Sequence, residues 1–175
     1  MPDLLSDEWP EKLPEKLPEK LPAATPAVQF VDGCRFCEIL AGQADAYWIY
    51  RDDRCVAFLD YRPIRPGHLL VIPRQHIDHV DELPDDLAAH LMVVSKHLAA
   101  RIRQRLRPER VGLMVSGYGV PHMHVHVIPM HSNNDLMTQH EVMVRDGEIV
   151  FGTEQWPLAE AEQQQAMQQL LQGGA

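Results

Sequence analysis

The sequence of 175 residues predicts an α+β domain, with an antiparallel sheet, one long helix and short flanking helices. Two observations lead to this fold class. Strand-like runs follow one another through short turns at 47–59 and again at 141–151, as they do in hairpins. A single long amphipathic stretch, 84–106, lies between them, whereas a parallel sheet would need strands and helices in regular alternation.

A proline-rich tail precedes this domain. The tetrapeptide Glu-Lys-Leu-Pro repeats in register at 11–14, 15–18 and 19–22. Proline at every fourth position removes backbone donors and blocks a regular helix. The pattern therefore predicts an extended or disordered segment over 1–29. The alternative is a docking arm whose leucines contact a partner protein.

The first half of the domain gives one short helix and three strands. Apolar residues three or four positions apart, followed by Gly42, indicate the helix. The strands are apolar and aromatic runs bounded by turn residues, and Pro73 ends the third. Cys55, inside the second strand, is interpreted as a small core residue. The four segments lie at 34–42, 47–50, 55–59 and 68–72.

The second half begins with the long helix. Pro84 and two aspartates start it, apolar residues recur at helical spacing, and Pro108 ends it. Later, an Asp-Gly turn predicts a hairpin, and a weak helical pattern follows Pro157. In chain order, the segments are the helix 84–106, strands at 111–115 and 122–128, the hairpin 141–151 and a helical extension within 152–175. The domain itself is predicted to cover 30–151.

The charge distribution argues against two kinds of partner. The formal net charge of −9 divides into −3 for each of 1–29, 30–151 and 152–175. Nothing in this pattern resembles the basic stripe of a nucleic-acid-binding protein. No apolar run is long enough to span a membrane, and the N-terminus lacks the pattern of a signal peptide. We therefore expect a cytoplasmic protein that binds neither nucleic acid nor membrane.

The most informative stretch is the predicted strand at 122–128, where histidines alternate with apolar residues. Alternate side chains of a strand share a face, so His122, His124 and His126 would form a row about 13 Å long. Such a row can bind a metal, hold a phosphate or supply a nucleophile with its helpers. The ordinary alternative is a half-buried edge strand whose polar positions happen to be histidine.

Two of the three cysteines form the pair Cys34-x-x-Cys37. In a reducing compartment this spacing indicates metal binding or redox chemistry rather than a structural disulfide.

Taken together, these motifs resemble the histidine triad (HIT) family of nucleotide hydrolases and transferases, and most closely its bacterial, zinc-containing, Hint-like branch. The resemblance covers about 30–130. The matching stretches are Cys34-Arg-Phe-Cys37, Ala57-Phe-Leu-Asp60, Pro66-Gly-His-Leu-Leu-Val-Ile-Pro73, His76 and Pro121-His-Met-His-Val-His-Val-Ile-Pro129.

The resemblance implies an enzyme that attacks an α-phosphate. His124 would be the nucleophile, since a neutral imidazole is nucleophilic near pH 7. His126 would donate to a phosphate oxygen or to the leaving group, and His68 would be a further pocket histidine. The substrate would be a purine nucleotide conjugate, either a phosphoramidate or a dinucleoside polyphosphate. The alternative is a zinc-stabilised nucleotide-binding module with little turnover.

The same resemblance places the nucleotide. Asp60 would accept hydrogen bonds from the ribose hydroxyls, and backbone N–H groups of the loop 116–119 would contact the phosphate. Ile39 has core packing as an equally ordinary role. The residues implied for nucleotide binding are Phe36, Ile39, Phe58, Asp60, Tyr61, Ser116 and Gly119.

A structural Zn²⁺ and a homodimer are also implied. Two thiolates and two imidazoles suit tetrahedral zinc, and the matching residues are Cys34, Cys37, His76 and His122. His79 is a rival ligand. A rival mechanism uses His122, His124 and His126 as a catalytic zinc site. The dimer would form through the wide apolar surface of the 84–106 helix and an adjacent strand.

Overall fold

A computed structural model describes residues 30–132, 135, 142–145, 148–151 and 157–172. It confirms the predicted α+β class, with a five-stranded antiparallel sheet in the order β1-β2-β3-β5-β4 and a separate β6-β7 ladder. The tail 1–29 and the Asp-Gly turn at 146–147 lie outside the described residues. The elements are α1 (Arg35–Leu40), β1 (Trp48–Arg51), β2 (Cys55–Leu59), β3 (Leu69–Pro73), α2 (Asp85–Leu106), β4 (Arg110–Met114), β5 (Val125–Met130), β6 (Val142–Arg145), β7 (Glu148–Phe151) and α3 (Ala161–Gln172), with a 3-10 turn at Val80–Glu82.

The central strands β2 and β3 are buried along their whole length, so both faces of the sheet are covered. Because side chains alternate, Leu59 and Val71 pack in the cluster beneath α2. Phe58 and Leu70 pack on the other face, in a second cluster with Phe36 of α1. The α1 face also carries His126, which pairs with Leu70 across β5 and β3. The chemistry suggested by the sequence therefore lies on the face opposite the long helix.

The long helix forms almost where the sequence predicts it. Asp85 and Asp86 occupy its first turn, and Arg103 and Arg105 its last, in favourable positions for the helix dipole. It ends at Arg107, whose φ of 50° is left-handed. The buried stripe that holds it on the sheet consists of Leu87, Leu91, Val94, Leu98 and Ile102.

The predicted strand at 122–128 is wrong at its start, since β5 begins at Val125. The N–H of Met123 donates to the carbonyl of Ile77, 2.6 Å away, instead of joining the ladder with β3. The N–H of His122 donates to the carbonyl of Val120, 2.8 Å away, which bends the chain. His122 and His124 therefore lie on irregular backbone, and the three histidines do not form a straight row.

A hydrogen-bonded carboxylate fixes the β1-β2 turn to α2. Asp52 accepts from Tyr50 Oη at 2.6 Å and from His90 Nε2, on α2, at 2.7 Å. It also accepts from the N–H groups of Arg54 and Cys55. Burial alone would raise the pKa of Asp52, but these hydrogen bonds, the one from His90 foremost, lower it to about 2.

We expect Asp52→Asn to reduce the free energy of unfolding at pH 7 by about 2 kcal/mol, the value of a pKa shift from 3.8 to about 2. The stabilisation is present above pH 4 and is lost as the pH falls toward 2. The difference between wild type and variant should therefore shrink over that interval, as measured by urea unfolding. Asp53→Asn, at an exposed neighbouring position, is the control. A difference that does not change with pH would contradict this account.

Candidate active site and metal centre

A buried histidine and a half-buried one, on neighbouring strands, are hydrogen-bonded to each other. His68 immediately precedes β3 and is 1% exposed, and His126 lies in β5. His68 Nε2 and His126 Nδ1 are 2.9 Å apart. The antiparallel pairing of β3 with β5 brings them together from 58 residues apart in the sequence.

A hydrogen bond from the backbone determines which ring nitrogen carries the proton in each of these two histidines. The N–H of Ile64 donates to His68 Nδ1 at 3.2 Å, so that nitrogen carries no proton. His68 therefore holds its proton on Nε2 and donates it to His126 Nδ1. As a result, His126 carries its own proton on Nε2. This atom is buried and has no hydrogen-bond partner among the described residues.

Both rings are neutral at pH 7. Burial, with the neighbouring His124, lowers the pKa of His68 to about 3. Burial, with His68 and His124, lowers the pKa of His126 to about 3 as well. His126 Nε2 is thus a neutral, buried N–H donor with no partner among the described residues.

His124 is held in the complementary tautomer. Its Nδ1 lies 2.7 Å from the carbonyl oxygen of His122, and a carbonyl can only accept, so Nδ1 carries the proton. Nε2 therefore presents a lone pair. The ring of His124 is 4% exposed and its centroid lies 4.7 Å from that of His126 and 5.3 Å from that of Phe36. A nucleophilic nitrogen and a hydrogen-bond donor thus belong to adjacent rings.

The predicted base-binding residues divide into two groups. Phe36, Ile39 and Phe58 are buried in the core on the α1 face, with exposures of 2%, 6% and 3%. Phe36 packs edge-on against Phe58, with centroids 5.6 Å apart. Tyr61 is 54% exposed. The structure thus gives the first three a packing role, and Ile39 in particular is an ordinary core residue.

Trp48 packs against the cluster that holds the predicted base-binding residues, and the sequence reasoning missed it. It lies directly opposite Phe58 in the β1-β2 register, and the two rings pack edge-on at 5.7 Å. The guanidinium of Arg51 lies 3.9 Å from the centre of the Trp48 ring. A regular hairpin register would place Ile49 opposite Phe58, and the irregularity between Trp48 and Tyr50 brings Trp48 there instead.

Asp60 lies at the end of β2, beside the histidine pair. Oδ1 accepts from the N–H of Arg62 at 2.9 Å, and Oδ2 lies 3.5 Å from His68 Nδ1. Burial raises the pKa of Asp60 in spite of the N–H of Arg62 and the nearby histidines, which lower it. Asp60, His68 and His126 form a second group whose ligand atoms could reach one ion. The hydrogen bonds already made by His68 and by His126 Nδ1 favour a proton-ordering role for the two rings instead.

A cavity of about 210 Å³ opens beside His124. Ser116, predicted to contact phosphate, lines it, whereas Gly119 is not one of the lining residues and is exposed. Gly117 also lines it and has a φ of +71°, a conformation that glycine adopts without strain. The cavity is also lined by Asp78, His79, Val80 and Asp81, from the segment before α2.

The predicted metal ligands come together on the α1 side. Cys34, Cys37, His76 and His122 place their ligand atoms within 4.8 Å of one another. Cys37 Sγ lies 3.3 Å from His76 Nδ1 and 3.8 Å from His122 Nδ1, and Cys34 Sγ lies 3.6 Å from His122 Nδ1. A tetrahedral Zn²⁺ with usual bond lengths needs sulfur–nitrogen separations of about 3.6 Å. The donor set therefore fits zinc in both chemistry and spacing.

The surroundings orient the ligands. His122 Nε2 donates to the carbonyl of Pro73 at 3.0 Å, which turns Nδ1 toward the sulfurs. Burial, foremost, lowers the pKa of His122 to about 4, so the ring is neutral as a ligand must be. Burial raises the pKa of the Cys37 thiol, so metal binding would release its proton. Neither Cys34 nor Cys37 forms a disulfide in the structure.

The rival ligand sets do not assemble. The His79 side chain is 68% exposed and lies 3.7 Å from the carboxylate of Asp78, outside the Cys₂His₂ group. The three triad histidines direct Nδ1 to three different places: the cysteines, the His122 carbonyl and His68. A catalytic zinc held by His122, His124 and His126 is therefore not supported.

Comparison with known proteins identifies the class. Residues 41–133 match the family model of the HIT domain, and the chain belongs to the HIT family. It is 32% identical to an uncharacterised HIT-like protein of Methanocaldococcus jannaschii over 125 residues, 68% of this chain and 87% of that one. It is 35% identical to the protein named Hit of Bacillus subtilis over 111 residues, 59% of this chain and 75% of that one.

Two solved structures resemble it along most of its length. A hypothetical histidine triad nucleotide-binding protein from Sulfolobus tokodaii superposes with a TM-score of 0.63 at 25% identity, covering 79% of this chain and 89% of that one. A zinc-bound histidine triad family protein from Mycobacterium smegmatis superposes with a TM-score of 0.60 at 26% identity, covering 79% and 93%.

Within the ranges that the structure describes, no helix has the length and apolar character needed to cross a bilayer. The predicted cytoplasmic location and the division of the chain at 29 and 151 stay predictions.

We expect about one zinc per chain, measured by elemental analysis of protein purified without added metal. Cys37→Ser should lower both the zinc content and the melting temperature, because it removes a thiolate ligand. Cys55→Ala removes the cysteine outside the group and should leave the zinc content unchanged. Metal-free wild type with a Cys34–Cys37 disulfide would refute the assignment.

Proposed function

We propose that this protein hydrolyses a purine nucleotide conjugate at its α-phosphate through a nucleotidyl-His124 intermediate. One observation carries the proposal: the His124 ring, whose Nε2 presents a lone pair, packs 4.7 Å between centroids from the His126 ring, whose buried Nε2–H has no hydrogen-bond partner among the described residues. This pairing suits attack on phosphorus combined with hydrogen bonding to a phosphate oxygen. The name of the Sulfolobus tokodaii protein, which calls it nucleotide-binding, supports a nucleotide ligand.

The reaction would proceed in two displacements. His124 Nε2 forms a bond to the α-phosphorus, and the bond from phosphorus to the leaving group breaks. His126 Nε2 donates to a non-bridging oxygen as negative charge builds up on it, while the His122 carbonyl holds the Nδ1 proton of the charged ring. The leaving group takes up one proton from solvent. Water then attacks phosphorus, returns one proton to solvent and releases the nucleoside monophosphate and neutral His124.

The other side chains would position the nucleotide. Asp60 would accept from the ribose hydroxyls, since an ionised carboxylate is purely an acceptor. Tyr61 and Trp48 would contact the base over the buried Phe36, Ile39 and Phe58. Backbone N–H groups of the 116–119 loop would contact the phosphate.

The Cys₂His₂ group would hold Zn²⁺ as a structural ion. When bound, it would fix the bend at His122, whose carbonyl sets the tautomer of His124. It would have no open position for substrate, since four protein ligands complete a tetrahedron.

The cavity beside His124 favours an amine as the leaving group. Asp78 and Asp81 line it, and none of the described lining residues is lysine or arginine. A polyphosphate leaving group would place further negative charge beside these carboxylates. A neutral or cationic amine would be accepted, so a phosphoramidate is the preferred substrate class.

The homodimer stays a proposal. Met92 on α2, Leu113 on β4 and Val115 just beyond it are large apolar side chains exposed by 51%, 38% and 43%. They lie on or next to the two elements through which the dimer would form, and burial of such side chains between two copies would stabilise it.

His124→Ala should lower turnover of an adenosine phosphoramidate by roughly three orders of magnitude or more, because the covalent route is lost. His124→Asn should still bind AMP while being nearly inactive. When the wild-type reaction is quenched rapidly, AMP should be found bound to the protein through an acid-labile, base-stable link. This adduct should be missing from both variants. His131→Ala, at an exposed histidine beyond β5, is the control. AMP binding without turnover in wild type would instead indicate a zinc-stabilised binding module.

The preference for an amine as the leaving group can be tested by comparing two substrates. Wild type should prefer a phosphoramidate of a lysine side chain over diadenosine triphosphate in kcat/KM. The double variant Asp78→Asn, Asp81→Asn should reduce this preference by up to roughly tenfold, as two nearby charges are removed. Asp85→Asn, exposed in the first turn of α2, should leave it unchanged. An unchanged ratio in the double variant would show that these carboxylates do not select the leaving group.

A further inference from the structure

We propose that α3 is a positioning element of the nucleotide site, and that Gln164 sets the preference for ribonucleotides by holding the backbone of Asp60. The inference rests on the proposed function, in which Asp60 receives the ribose. It concerns a helix that lies beyond residue 133, where the match to the HIT domain ends.

Three glutamines of α3 point at the backbone of the site. Gln164, Gln168 and Gln172 recur at intervals of four residues, so they share one face of the helix. Gln164 Nε2 donates to the carbonyl of Asp60 at 2.6 Å. Gln168 Nε2 donates to the carbonyl of Trp48 at 2.9 Å, and Gln172 donates to the same carbonyl.

These carbonyls need outside donors. β1 is an edge strand, and its ladder is irregular between Trp48 and Tyr50. An edge carbonyl that is covered by protein requires a partner that the sheet cannot supply. Asp60 follows the last residue of β2, and its N–H already donates to the carbonyl of His68 at 2.9 Å. The Gln164 amide completes the hydrogen bonding of the Asp60 backbone groups.

Two further contacts, one before α3 and one near its end, support the contact at Asp60. The N–H of Ala159 donates to the carbonyl of Tyr61 at 2.9 Å, so the segment before α3 holds the next peptide as well. Leu171, 1% exposed, anchors the end of the helix in the core beneath α2. Two successive carbonyls at the ribose position are therefore fixed by the C-terminal segment.

A packing role alone would not call for glutamine at position 164. The side chain is 5% exposed, and burying an amide costs free energy unless its donors are used. An apolar residue of the same length would fill the space without that cost. The amide therefore serves the Asp60 carbonyl, and it fixes the direction in which the Asp60 side chain leaves the backbone.

The test compares the affinities for AMP and for 2′,3′-dideoxy-AMP, measured by calorimetry on the full chain. Wild type should bind AMP more tightly, and Asp60→Asn should lose most of this preference. Gln164→Met keeps the length of the side chain but cannot donate. It should weaken AMP binding by about two- to tenfold, the range for one hydrogen bond, and leave binding of the dideoxynucleotide unchanged. Gln165→Met and Gln169→Met, exposed on the same helix, should behave as wild type.

The outcomes separate the two proposals. If Asp60→Asn loses the preference while Gln164→Met keeps it, the role of α3 is wrong and the nucleotide site stands. If Gln164→Met weakens both ligands equally, the helix acts through general stability and the inference is also wrong. If wild type does not distinguish the ligands, the ribose role of Asp60 fails and the inference fails with it. Gln164→Ala provides the same measurement should the methionine variant not fold.

Discussion

One residue, His122, connects the Cys₂His₂ group to His124, the proposed nucleophile. Its ring places Nδ1 among the cysteine sulfurs and donates from Nε2 to the carbonyl of Pro73. Its own carbonyl accepts the Nδ1 proton of His124. The ring is fixed at both nitrogens, so the peptide that follows it has a defined direction. The availability of the His124 lone pair depends on that direction.

The second constraint is the burial of neutral imidazoles. Burial contributes most to the low pKa values of His68 and His126, and hydrogen bonds arrange the protons on them. In the proposed reaction, a site built this way would stabilise a phosphate with N–H dipoles rather than with fixed positive charge. Preoriented dipoles in a dry environment need little reorganisation when charge develops on the substrate. This arrangement agrees with a chain whose domain is close to charge balance and has no basic stripe.

The sheet has the main apolar core on one face and the candidate site on the other. The face under α2 holds a large apolar cluster. The opposite face carries α1, the Cys₂His₂ group and the histidines of the candidate site around a smaller apolar cluster. Because adjacent residues of a strand point to opposite faces, β3 and β5 serve both, with Val71 and Val125 toward α2 and Leu70 and His126 toward the site. α3 closes the exposed edge at β1 and reaches the end of β2.

The sequence by itself determined the fold class and the position of the long helix, because both follow from local periodicity. The grouping of Cys34, Cys37, His76 and His122 followed from the resemblance to the HIT family, and the structure brings these four residues together. The prediction of a straight row of histidines was wrong. The N–H of His122 donates to the carbonyl of Val120, and the N–H of Met123 donates to the carbonyl of Ile77. Only the tertiary structure decided three features. These are the tautomers of the site histidines, the packing of Phe36 against Phe58, and the contact of Gln164 with Asp60. Each requires groups far apart in the chain, 104 residues apart in the case of Gln164, to lie within hydrogen-bond or packing distance.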